Sequence, residues 1–126
     1  MNQMNAMMLA RIHDLNKTEA PLVPQTVPIP TPGDQEVLIQ VAACGVCHTE
    51  LDEIEGRTPP PRLPVIPGHQ VVGRVQASGA GAARFTTGQR VGVAWINRTC
   101  GCCEFCLDDR ENLCPEFVAT GRDVHG

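Results

Sequence analysis

The sequence predicts a mainly β fold, a small barrel or sandwich. Short apolar runs recur at near-regular spacing, and Gly- and Pro-rich turns separate them. The one helical pattern covers only a turn or two. At 126 residues the chain suits a single domain, with enough sequence for a core but little for a two-domain cofactor-binding enzyme.

The elements follow in order. Met7 to Ile12 alternates weakly, and a passage punctuated by Pro21, Pro24, Pro28, Pro30 and Pro32 comes next. Proline removes backbone donors, so this passage reads as an extended edge or surface wrap and not a central strand. Residues 35–43 predict a strand with Val37, Ile39 and Val41 on one side and Leu38, Gln40 and Ala42 on the other. Residues 49–55 predict a short helix, capped by Thr49 with Asp52 three residues on and ended by Gly56. The proline-rich stretch 58–67 is loop. Residues 69–77 predict a strand interrupted at Gly73 by a bulge or a close backbone approach. Residues 79–88 are turn-rich, and 88–95 predict a further strand with Val91, Val93 and Trp95 facing one way.

Composition excludes several classes. The net charge is −4, Lys17 is the only lysine, and the arginines are scattered singly, so no nucleic-acid surface is expected. No apolar stretch approaches the ~20 residues that span a bilayer, so no membrane association is expected. The start, Met-Asn-Gln-Met-Asn-Ala-Met-Met, lacks the basic and apolar regions of a secretory signal. The 7 cysteines are odd in number and two are adjacent, which suits metal ligation in a reducing cytoplasm better than a secreted disulfide scaffold.

Four of those cysteines, Cys100, Cys103, Cys106 and Cys114, are spaced C-x2-C-x2-C-x7-C. Two intervening residues let a tight turn aim both sulfurs at one point. Four thiolates around a tetrahedral ion such as zinc close it to water and substrate, so this reads as a structural metal site. A ferredoxin-like iron–sulfur protein shares the first spacings but not the fourth, and no second run follows. Cys47-His48-Thr49 and Gly68-His69-Gln70 form a second constellation at two strand ends, beside Gly45, Pro67 and Gly68. Cys47 and His69 could supply two ligands of an open, catalytic site. A packed cysteine and a surface histidine are the alternative.

Four blocks, in order, carry a resemblance: Cys-Gly-Val-Cys-His-Thr-Glu-Leu-Asp (44–52), Pro-Val-Ile-Pro-Gly-His-Gln-Val-Val-Gly (64–73), Gly-Gln-Arg-Val-Gly-Val-Ala-Trp (88–95) and the cysteine lobe with Arg-Glu-Asn-Leu-Cys-Pro (110–115). Together they resemble the zinc-dependent medium-chain alcohol dehydrogenases, in their N-terminal GroES-like domain. The resemblance implies a partly open β-barrel with short helices and a zinc-binding cysteine lobe over residues 1–126. It also implies oxidation of a small-molecule alcohol to an aldehyde or ketone, with NAD or NADP held by a dinucleotide-binding domain. That domain's Gly-x-Gly-x-x-Gly fingerprint is absent from this chain.

Residue by residue, the resemblance makes Cys47 and His69 catalytic zinc ligands and Thr49 the hydroxyl that accepts the substrate proton. It places His48 near the cofactor phosphates and makes Cys100, Cys103, Cys106 and Cys114 the structural ligands. The family's third catalytic ligand has no counterpart within these 126 residues. Cys102 reads as a spectator and Cys44 as a small buried hydrophobe. Three positions depart from the pattern: Gln70 replaces the Glu after the ligand histidine, Glu50 replaces an Asp that orients it, and Asp52 stands where a relay histidine is common. A stand-alone zinc-stabilised binding module remains the rival reading, and a GroES-like chaperonin subunit would share only the barrel. A homo-oligomer is compatible with an apolar face left exposed where the cofactor domain would pack.

Overall fold

The computed structural model describes residues 2–126, and it is built mainly of strands. β1 (Gln3–Met8) pairs antiparallel with β2 (Val23–Pro28). β3 (Val37–Gly45), β4 (Gln70–Ser78) and β5 (Arg90–Val93) form a three-stranded antiparallel sheet in that order. β6 (Ile96–Arg98) pairs with β7 (Val118–Ala119). Among the described residues these sheets do not close into a full barrel. Two short helices complete the fold, α1 (His48–Glu55) and α2 (Glu104–Leu107).

The proline passage behaves as its chemistry requires: β2 carries Pro24 and Pro28 and pairs only with β1 among the described strands. The first strand lies earlier than the apolar pattern suggests. Beyond Met8 the chain leaves β1, and Leu9 instead exchanges two backbone hydrogen bonds with Val65, at 2.8 and 3.0 Å. Leu9, Val65 and Ile54 of α1 form the buried core, with Leu15 and Leu22 packed on it. Burying a side chain such as Leu9 contributes about 2 kcal/mol, and this cluster fixes α1 against the N-terminal segment.

β4 alternates cleanly, with Val71 and Val75 inward and Arg74 and Gln76 outward. Gly73 faces inward and lets the backbones approach: a Cβ there would stand 2.4 Å from the Gln40 carbonyl oxygen. The expected irregularity is present on the partner strand, where the register slips between Val41 and Ala43. The two-sided pattern predicted for β3 is not kept, since residues 40–45 are exposed on both faces. Val41 is exposed, and so is Cys44, contrary to its expected burial.

The helix cap also differs from expectation. α1 begins one residue earlier, with Cys47 as its N-cap, and the Glu50 carboxylate accepts a hydrogen bond from the Cys47 N–H at 2.6 Å. Thr49 lies within the first turn and does not cap it. Gly56, at φ 77, ends the helix in the left-handed conformation as predicted. The strand expected over 88–95 is shorter, Arg90–Val93 in the large sheet; the chain breaks at Ala94 and Trp95, and β6 beyond them pairs with β7.

Candidate active site and metal centre

The cysteine lobe folds around its sulfurs. α2 follows Cys103 directly, a 3-10 turn over Glu111–Leu113 delivers Cys114, and the four ligand atoms of Cys100, Cys103, Cys106 and Cys114 lie within 4.8 Å of one another. The Sγ–Sγ separations are 3.9 Å for Cys100–Cys106, 3.5 Å for Cys103–Cys106 and 3.6 Å for Cys100–Cys114. Four sulfurs at ~2.3 Å around a tetrahedral zinc stand ~3.8 Å apart, so the cage has the size the ion needs. The Cys103 N–H donates to Cys100 Sγ at 3.4 Å. Backbone donors from Cys102 and Cys103 hold the Cys100 thiol down at about 6, as a ligand thiolate requires. Cys114 is buried, whereas Cys102 is exposed and outside the cage.

The second constellation is drawn together by α1 and the start of β4. Cys47 Sγ lies 3.5 Å from His69 Nε2. Zinc held by one thiolate and one imidazole at ordinary bond lengths sets sulfur and nitrogen ~3.6 Å apart, so this pair also fits the ion. Gly68 precedes the histidine at φ 113, and a Cβ there would meet Cys44 Sγ at 2.6 Å, so the turn into β4 admits only glycine.

Glu50 unites the two residues. Its Oε1 lies 2.7 Å from His69 Nδ1, while its Oε2 accepts the Cys47 N–H. Glu50, Cys47 and His69 are close enough to be three ligands of one ion. However, the carboxylate sits on the opposite ring nitrogen from Cys47, so an ion at Nε2 is out of its reach. Glu50 therefore fixes the tautomer that leaves Nε2 free to bind. The extra methylene relative to Asp lets one carboxylate address both the histidine and the helix N-terminus.

Other expected residues fall nearby with different roles. Thr49 is half-buried in the first turn of α1, and His48, the first residue of the helix, is exposed. Asp52 is committed to an ion pair with Arg57 on the surface. Gln70 is exposed at the start of β4.

Three contributors lay outside the sequence reading. The Trp95 ring meets the His69 ring edge-on at 5.0 Å and 76°, Arg122 lies 5.4 Å over Trp95, and Glu53 is fully buried on α1 behind Glu50. Trp95 had a signal, as the one tryptophan at the end of an apolar run. Arg122 and Glu53 had none, because the stacking of Arg122 on Trp95 and the burial of Glu53 arise only on folding.

Residues 33–126 match the family described as alcohol dehydrogenase GroES-like domain. A Mycobacterium tuberculosis protein named "Probable alcohol dehydrogenase AdhA" is 48% identical over 111 residues, covering 84% of this chain and 32% of its own length. A solved alcohol dehydrogenase of Pyrobaculum aerophilum, with cobalt and zinc bound, superposes with a TM-score of 0.87 at 27% identity, over 99% of this chain and 37% of that one. A solved NAD-dependent alcohol dehydrogenase gives a TM-score of 0.85 at 31% identity, over 98% of this chain and 35% of its own. The chain thus spans about a third of the length of the relatives it matches, and over that span it belongs to the GroES-like domain family of the zinc-dependent alcohol dehydrogenases.

Proposed function

We propose that residues 1–126 are the substrate-side domain of a zinc-dependent alcohol dehydrogenase that oxidises small alcohols to aldehydes or ketones with NAD or NADP. The observation that carries this reading is Cys47 and His69 at ligand spacing, both fixed by Glu50. Cys100, Cys103, Cys106 and Cys114 hold a structural zinc, while Cys47 and His69 hold a catalytic one whose remaining protein ligand comes from outside these residues. Bound at Cys47 and His69, zinc supplies Lewis acidity toward a substrate oxygen.

The chain's own residues do the rest. Glu50 keeps the His69 proton on Nδ1, and Trp95 walls one side of the imidazole. Thr49 Oγ1, two residues from Cys47, takes the substrate's hydroxyl proton. With Asp52 tied to Arg57, that proton leaves by another route, which His48 at the exposed helix start can provide. His48 also stands where cofactor phosphates are expected. A reducing, cytoplasmic setting suits so many free thiolates, and an apolar face gives a surface for a second domain or subunit. No helix among the described residues is long and apolar enough to cross a membrane.

The test follows NADH or NADPH with millimolar alcohol or aldehyde, for this chain and for a version extended through a dinucleotide-binding domain. Holding the nicotinamide ring against the substrate carbon is a positioning effect of roughly 7–11 kcal/mol, so turnover is expected only from the extended version. Its loss in Cys47→Ser and His69→Ala, with the fold retained, is the second expected result. Turnover by the 126-residue chain alone, or full activity in either variant, would contradict the assignment.

A further inference from the structure

The turn over residues 120–126 packs against the chain just before His69. Both backbone groups of Ile66 are bound to it: the N–H donates to His125 Nδ1 at 3.1 Å, and the carbonyl accepts the Gly126 N–H at 2.8 Å. A backbone N–H only donates, so Nδ1 of His125 is the acceptor. Gly121 makes the contact from the other end of the turn. A Cβ there would stand 2.5 Å from the Gly68 nitrogen, so the two backbones touch. The same turn is also fixed to Trp95. The Thr120 N–H donates to the Trp95 carbonyl at 2.9 Å, and Arg122 lies over the indole. Asp123 holds the turn in shape, accepting the Ala119 N–H at 2.7 Å and pairing with Arg122. His69 therefore lies between two things the turn grips, the Gly68 backbone that carries it and the Trp95 ring 5.0 Å away.

We propose that this turn is a clasp that sets the position of His69, with His125 as the positioning residue that closes it onto Ile66. The proposal rests on the reading of Cys47 and His69 as a metal site. Residues 66–69 belong to no helix or strand. The Leu9–Val65 bridge ends one residue before them, and the β4 ladder starts one residue after, at Gln70. The clasp supplies the anchor that these four residues lack. It thereby preserves the 3.5 Å spacing of His69 Nε2 from Cys47 and the 2.7 Å spacing of Nδ1 from Glu50. Ligands already held at bonding separation need no rearrangement when the ion arrives, and a shift of about 0.5 Å forfeits that advantage. His125 itself is exposed, so its truncation leaves no buried cavity, and water can take the freed Ile66 N–H. Its loss should thus be felt at the metal site and not in the fold.

The experiment uses the 126-residue chain with the cysteine lobe first filled by one equivalent of zinc. Cobalt is then titrated to millimolar concentration, since two protein ligands bind it weakly. Trp95 is the only tryptophan and touches His69, so quenching of its emission reports cobalt at that histidine. His125→Ala should weaken this binding about tenfold, with the zinc content and unfolding temperature of the native chain. His125→Asn should restore it, because Asn Oδ1 stands as many bonds from the backbone as His Nδ1 and accepts the same N–H. His125→Gln, whose amide oxygen is one bond farther out, should not. Recovery in the Asn variant also separates positioning from direct ligation of cobalt by His125. Native affinity in His125→Ala, equal affinities in the Asn and Gln variants, or a loss accompanied by unfolding in His125→Ala and not reversed by Asn would each overturn the proposal. Absence of quenching in the native chain, or native quenching in Cys47→Ser, would instead remove the metal-site reading beneath it.

Discussion

Glu53 is fully buried, and neither of its carboxylate oxygens has a hydrogen-bond partner. Burial, and then the Glu50 charge one helical turn back, push its pKa from 4.5 up to about 7 against the pull of Arg122. In the unfolded chain the group ionises near 4.5, so between that pH and 7 the folded state holds more protons. Stability conferred on the folded state by this difference is complete below pH 4.5 and is lost as pH rises to about 7. Glu53→Gln should therefore be more stable than the native chain by about 1–3 kcal/mol at pH 8, and should lose that advantage at pH 4. Urea denaturation at both pH values measures it, and a pH-independent difference would refute this account of Glu53. Glu50 presents a different case, a buried carboxylate whose Oε2 accepts the Cys47 N–H and whose Oε1 stands 2.7 Å from His69 Nδ1. Glu50→Ala should weaken metal binding at Cys47 and His69 by about 10–100-fold in the extended version. Cobalt titration measures this, and unchanged affinity would show that the carboxylate does not orient the histidine.

At the scale of elements, the cysteine lobe and α1 respond to different losses. α2 is 4 residues long and the adjoining 3-10 turn is 3, too short to hold together without a cross-link. Structural zinc in small peptides contributes roughly 10–16 kcal/mol of apparent binding energy, so chelation should disorder residues 97–115. Hydrogen exchange reads this as lost protection confined to the lobe, with β3 and β4 still protected. Cys103→Ser should reproduce the effect and lower thermal stability, and full stability in that variant would rule out a structural centre. The lobe and β4 were legible in sequence because ligand spacing and strict alternation are local signals. The cap of α1 was not, since it depends on Glu50 reaching back to the Cys47 N–H and cysteine is no preferred cap residue. β6 and β7, at 3 and 2 residues, are too short to show a period and exist by pairing across about twenty residues. Cys44 is exposed because it borders an open apolar hollow, which no side-chain pattern records.

For the whole molecule, β1, the sheet of β3 and β4, and α1 border an apolar hollow of about 670 Å³, walled by residues that include Met4, Leu38, Ile39, Val41, Val46 and Val71. Val41 and Val46 are exposed within it, so the fold presents unpaired apolar surface beside its candidate active site. The cysteine cage is drawn by local turns, while Cys47 and His69 meet across two elements, and the residues of both candidate centres could be named from spacing and from four short blocks of resemblance. How they sit relative to Trp95 and Arg122 could not, because the placement of Arg122 over the indole joins residues far apart in sequence. Metal content of the purified 126-residue chain tests the account most directly. One tightly held zinc per chain is predicted, replaceable by cobalt with the intense charge-transfer bands of a four-thiolate site and absent from Cys103→Ser. A native chain that binds no metal while all four thiols of Cys100, Cys103, Cys106 and Cys114 remain reduced would contradict it.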